Sequence, residues 1–183
     1  MGDDSRVAQL PWVLPSETIS QTAKLTNWIV EDAKTARAFL KAVDSVSPLA
    51  CTIQEMQMSE WRGVARNAKF GDAVKPMDLL KPLIAGKDMG LMSEAGVPGV
   101  ADPGAELVLA AHKLGAKVKP LVGPSSILLG LMASGLNGQR FAFQGYVPHD
   151  AQDRVARLKQ LEVESRKLQQ TQIWIETPYR NTA

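Results

Sequence analysis

Four carboxylates sit where short apolar runs give way to turns or helices. Glu31 and Asp32 close the run NWIVED, Glu94 lies in SEAGVPGVADPG (residues 93–104), and Glu176 ends IWIE. A carboxylate at a strand end can act as a base or polarise a hydroxyl, although such groups more often are solvated or cap the next helix. The glycines of residues 93–104 admit positive φ and let a ligand approach the main chain. Asp102 before Pro103 predicts a helix start, a capping carboxylate followed by proline at the first helical position. A capped tight loop and a ligand cradle are both compatible with this stretch. In VGPSS, Ser125 or Ser126 can cap the next helix, whose N-terminus offers free N–H groups to an anion. His149, in a loop after Pro148, is a further candidate base, and His112 is expected on a helix surface. Trp28 and Trp174 read as core strand residues, and Trp61 as a lid or stacking residue.

Composition excludes several alternatives. The chain has 183 residues, 45% hydrophobic and 22% charged, with a formal charge of +2. This is the balance of a globular protein with no strongly basic footprint for nucleic acid. Cys51 is the single cysteine and His112 and His149 are the only histidines, which excludes a disulfide framework and a structural zinc site and fits a reducing cytoplasm. No apolar run approaches the ~18 residues of a membrane span, and the first residues lack the order of a signal peptide. The glycine loop is not a P-loop, because the lysine and hydroxyl residue are missing.

These residues need elements to hold them. Helices are expected over residues 16–25, 32–41, 76–86, 103–114, 126–134 and 150–169. Strands are expected over 27–31, 48–53, 88–93, 117–122, 141–145 and 171–176, with 55–71 a loop and 1–13 a flexible N-terminal segment. Alternation of strands and helices predicts an α/β fold, a mostly parallel sheet with helices on both faces. Ligands of such sheets sit outside the carboxyl ends of the strands, where the glycine-rich loops fall.

In order and spacing, four motifs resemble those of the tetrapyrrole methylase family, class III of the S-adenosylmethionine-dependent methyltransferases. SEAGVPGVADPGAELV is similar to the family's SDAGTPxISDPGxxLV and PLVGPSSILLGLMASGL to PLPGPSAxxxALxxSGL. FAFQGYVP is similar to FxFxGFLP, and IETPYR to YESPxR. The nearest branch contains ribosomal RNA ribose 2′-O-methyltransferases. That branch carries EDTRxT, where this chain keeps Glu31 and Asp32 but has Ala33 and Lys34 next. Its HEHN motif has no histidine counterpart in TIQEMQMSEWR. By this resemblance the chain would start after the family's opening strand with its PTPxGN-like loop, and would stop where the second domain is expected to begin. The resemblance thus implies a cofactor-binding α/β methyltransferase domain over residues 14–181, the family's N-terminal domain, with the C-terminal domain absent.

The resemblance implies S-adenosyl-L-methionine as cofactor, held largely by backbone groups. Its site residues would be Ser93, Ala95, Gly96, Val97, Val100, Ala101, Asp102, Ser125 and Ser126. Glu31, Asp32, Glu94 and Glu176 are the candidates for a base, and no metal is implied. The acceptor is not named by the sequence, with RNA the class the branch implies, and a homodimer is expected from the family. The alternative is a non-catalytic remnant or interaction module that retains the fold.

Overall fold

The computed structural model describes residues 9–63 and 75–177. The chain divides into two compact units, Met1–Pro124 and Ser125–Ala183. The first contains α1 (Leu10–Val13), α2 (Ser16–Lys24), β1 (Asn27–Val30), α3 (Ala33–Asp44), β2 (Gln57–Glu60), α4 (Pro76–Leu79), α5 (Lys81–Ile84), β3 (Gly90–Met92) and α6 (Ala105–Lys113). The second contains α7 (Ser126–Ser134), β4 (Phe141–Tyr146), α8 (Ala151–Leu168) and β5 (Thr171–Ile175). All strand pairs are parallel, and the fold is α/β.

In the first unit the strand order is β2-β1-β3. All four residues of β1 are buried, as a central parallel strand requires. Alternation sends its side chains to opposite faces. Trp28 and Val30 pack with Ala36 and Leu40 of α3 and with Met56. Ile29 packs with Leu107, Ala110 and Ala111 of α6, and with Trp61 and Leu80. Helices therefore cover both faces of this sheet. α2 lies on α3 through Ile19, Ala23 and Val43. β3 pairs with β1 so that Gly90 stands opposite Trp28. A Cβ at Gly90 would lie 2.1 Å from the Trp28 ring. The indole thus fills the space over the glycine, and its N–H donates to the Leu25 carbonyl at 3.2 Å.

In the second unit β4 and β5 pair from Phe141↔Thr171 to Tyr146↔Ile175, with an irregularity between Phe143 and Tyr146. Gly145 has φ 71° there, the kind of conformation a bulge uses. Asp150 caps α8 by accepting from the Gln152 and Asp153 N–H groups.

Several expectations are corrected. Residues 48–53 form no strand. Thr52 and Glu55 close a turn, the Thr52 N–H and hydroxyl both donating to Glu55 Oε2 at 3.0 and 2.7 Å. The strand lies later, at Gln57–Glu60 within the expected loop, and the rest of that expectation, over residues 64–71, falls outside the described residues. Residues 117–122 join no ladder, and the Val122 carbonyl accepts instead from the Thr18 hydroxyl at 2.7 Å. The helix expected over 76–86 is two single turns broken at buried Leu80, just ahead of Pro82, which has no N–H to continue the first. Trp174 is 44% exposed rather than core, whereas Trp61 is 1% exposed and is core rather than a lid. Within the expected N-terminal segment, residues 10–13 are the helical turn α1, and residues 1–8 fall outside the described residues.

Candidate functional site

The carboxyl ends of β1, β2 and β3 bring together residues far apart in sequence. Glu31 and Asp32 follow β1, Glu60 ends β2, and residues 93–104 follow β3. Asp32 is the N-cap of α3, its Oδ1 accepting from the Lys34 and Thr35 N–H groups at 2.8 and 3.0 Å. These bonds, backed by the Arg62 guanidinium, hold its carboxyl below the usual value. Glu60 Oε1 accepts from the Ala33 N–H at 2.9 Å, so two carboxylates share the free donors of one helix start. Capping, the ordinary reading of such a residue, is thus what Asp32 does.

Glu31 has another role. Its Oε1 accepts from the Glu94 N–H at 3.1 Å and so ties the glycine-rich loop to the end of β1. The Glu94 carboxylate in turn accepts from the Thr35 hydroxyl at the head of α3. The loop itself closes a turn by a bond from the Val100 N–H to the Val97 carbonyl at 3.3 Å. Ala101 has φ 61°, a left-handed conformation rare for a residue with a side chain. Gly104, at φ 140°, is the N-cap of α6. A Cβ built on Gly96 meets nothing within 4 Å, so the main chain there faces open space.

Asp102 does not cap the helix as expected. The helix begins at Ala105, and Gly104 precedes it without a side-chain cap. The dipeptide Asp102–Pro103 lies in the turn before, because Gly104 adopts a backbone conformation that delays the helix. Burial pushes the Asp102 carboxyl up, and the nearby Glu31 carboxylate adds to this.

The first unit therefore assembles Glu31, Asp32, Glu94 and Asp102 with the loop residues Ser93, Ala95, Gly96, Val97, Val100 and Ala101. Ser125, Ser126 and Glu176 belong to the second unit. There Ser125 caps α7 by accepting from the Leu128 N–H at 3.5 Å, Ser126 opens the helix, and Glu176 accepts from the Thr177 N–H at 2.8 Å. His112 is exposed on α6, as expected. A shallow groove of about 210 Å³ in the second unit, between α7 and β5, is lined by Leu131, Leu136, Ile173 and Trp174 and by no ionisable side chain. Among the described residues no three histidine, cysteine or acidic side chains could hold a metal ion, and no helix is long and apolar enough to cross a membrane. Sequence reading passes over one residue of the rim, Arg62, which touches Glu31, Asp32 and Glu60.

No family model matches the chain. Among curated proteins it is 38% identical over 106 residues to ribosomal RNA small subunit methyltransferase I of Vibrio cholerae, covering 58% of this chain and 35% of that protein. The counterpart from Pseudomonas aeruginosa is 40% identical over 98 residues, 54% of this chain and 33% of its own length. Over about half its length, the chain is homologous to ribosomal RNA small subunit methyltransferase I. The Bacillus subtilis protein of that name is 36% identical over 102 residues, 56% of this chain and 34% of its own. The chain thus spans about a third of the length of these methyltransferase I relatives, and the branch named by them is the one its motifs resemble.

Proposed function

We propose that residues 14–181 form the cofactor-binding domain of an S-adenosylmethionine-dependent methyltransferase that acts on a hydroxyl of RNA. The observation that carries this reading is the strand-end rim. A glycine-rich main chain stands open at Gly96 and is tied by Glu31 to the end of the central strand. The similarity to ribosomal RNA methyltransferases supports the reaction class.

The rim fits such a cofactor. S-adenosylmethionine supplies an electrophilic methyl group on a positively charged sulfur. The rim presents Glu31, Asp32, Glu94 and Asp102, and the Glu31 carboxylate is close enough to act on Asp102, so a cation there meets favourable charge. The loop residues Ser93, Ala95, Gly96, Val97, Val100 and Ala101 would hold the cofactor through the main chain, with Asp102 beside them. Glu31 and Glu94 orient the loop. The candidates for a base on this rim are Glu31, Asp32 and Glu94, each already engaged through one oxygen. A cytoplasmic homodimer is part of this proposal.

The test is calorimetry with S-adenosylhomocysteine, which binds without turning over. We expect saturable one-site binding, abolished by Gly96→Trp with the circular dichroism of the chain unchanged. Ligand at ~100 times its dissociation constant should stabilise the fold by about 2.7 kcal/mol. Absence of binding at millimolar ligand would overturn the proposal for this chain.

A further inference from the structure

The only cation in contact with the strand-end carboxylates, among the described residues, is Arg62. The main chain just before it is anchored, because Trp61 is buried in the core and its backbone N–H continues the β1–β2 pairing by donating to the Val30 carbonyl at 2.8 Å. The Arg62 Nε–H donates to the Glu31 carbonyl at 3.0 Å. One Nη stands 3.6 Å from Asp32 Oδ2 and 3.9 Å from Glu60 Oε2. Each of these carboxylates spends its other oxygen on the first turn of α3. The contacts close into a ring. Arg62 holds Glu31 by its carbonyl, Glu31 holds the Glu94 N–H by its carboxylate, Glu94 accepts from Thr35, and the Thr35 N–H returns to Asp32, which faces Arg62.

Resting on the function proposed above, we infer that Arg62 is a positioning residue, which fixes the backbone of Glu31 and through it sets the glycine-rich loop that receives the cofactor. The two ion pairs are long and their partners are 39% and 50% exposed, so charge attraction contributes little by itself. The directional part is the Nε–H bond to the carbonyl, made while the same fork faces two carboxylates. Lysine offers one charged nitrogen and cannot span these acceptors together. The arginine thus belongs to the ring for its shape, and a point charge in its place leaves the Glu31 carbonyl unheld.

The test uses the full chain with Arg62→Ala, Arg62→Lys, Glu31→Ala and the double variant Arg62→Ala/Glu31→Ala. Two readouts are taken: hydrogen exchange of residues 93–104, and affinity for S-adenosylhomocysteine. Arg62→Ala should speed exchange in that segment about tenfold, the worth of one hydrogen bond from a charged donor. Exchange in β1 and α6 should stay as in the unsubstituted chain. Arg62→Lys should behave like Arg62→Ala. Glu31→Ala should reproduce the effect, and the double variant should be no worse than either single one, because both break the same ring. Affinity should fall by a similar factor in all four. Unchanged exchange of residues 93–104 in Arg62→Ala, full rescue by lysine, or additive effects in the double variant would each overturn the inference. If the unsubstituted chain binds no S-adenosylhomocysteine, the proposed function fails, while the exchange pattern still decides the role of Arg62.

Discussion

Replacing Gly104 by alanine tests whether the loop after β3 is held in its observed shape. Gly104 stands at φ 140° and ψ −23°. Its absent side chain would lie 3.0 Å from Leu91 Cδ2 and 3.4 Å from the Gly99 nitrogen. Holding an L-residue in so sparsely populated a region costs about 1–3 kcal/mol. The close contacts add to this, since a leucine methyl can rotate aside but a backbone nitrogen in a tight loop cannot. Gly104→Ala is therefore expected to destabilise the chain by about 2–4 kcal/mol. For a protein of this size that lowers the unfolding midpoint by roughly 10 °C. The two causes separate in a double-mutant cycle. Leu91→Ala in the same chain frees the methyl contact and should recover about 1 kcal/mol, leaving the backbone part of the loss in place. Urea unfolding followed by circular dichroism measures all four corners of the cycle. A loss below about 0.5 kcal/mol for Gly104→Ala would mean that the loop accepts another backbone shape at no cost. So would complete recovery on adding Leu91→Ala, because the loop would then not need its observed backbone.

Ala101 offers a companion test at φ 61°. Ala101→Val should cost about 1–2 kcal/mol by urea unfolding, whereas Ala101→Gly should be neutral or stabilising; equal stability of the two variants would count against a left-handed residue there. The pH dependence of stability should carry the mark of Asp102. Its folded pKa is raised by burial and by Glu31, so its contribution is fully present below the ordinary carboxylate value and is lost as pH rises through the raised one. Asp102→Asn should accordingly raise the thermal midpoint at neutral pH and not at the acid end. Asp32 and Asp150, both lowered by the N–H groups they cap, set the opposite slope, with stability that disappears as pH falls through their lowered values.

The alternation of strands and helices was readable because apolar runs such as NWIV are bounded by strong helix starts. Asp32 could be expected at a helix start from its neighbours alone. β2 was not readable, since QMSE has little apolar content and becomes a strand only by pairing with β1. Residues 117–122 show the converse, a strand-like composition with no partner strand, which leaves propensity without effect. Asp102–Pro103 misled because capping signals do not report the φ of the glycine that follows. Arg62 left no local signal at all. Its partners Glu31 and Asp32 lie about thirty positions earlier, and only the parallel pairing of β1 with β2 brings them within reach. The carboxylates of the rim were legible as residues, but the division of labour among them, Asp32 capping, Glu31 tying the loop and Asp102 pushed up by burial, is set by tertiary contacts.

The fit of Trp28 over Gly90 has a consequence for how the chain finds its sheet. Parallel strands joined by a long connection must search for their alignment after a costly loop closure. A shift of one residue would place Met89 or Leu91 opposite the indole, and either side chain would occupy the volume the ring requires. A misaligned β3 is therefore disfavoured by size. The glycine acts as a gauge that admits one alignment of β3, and with it one placement of every residue in the loop that follows.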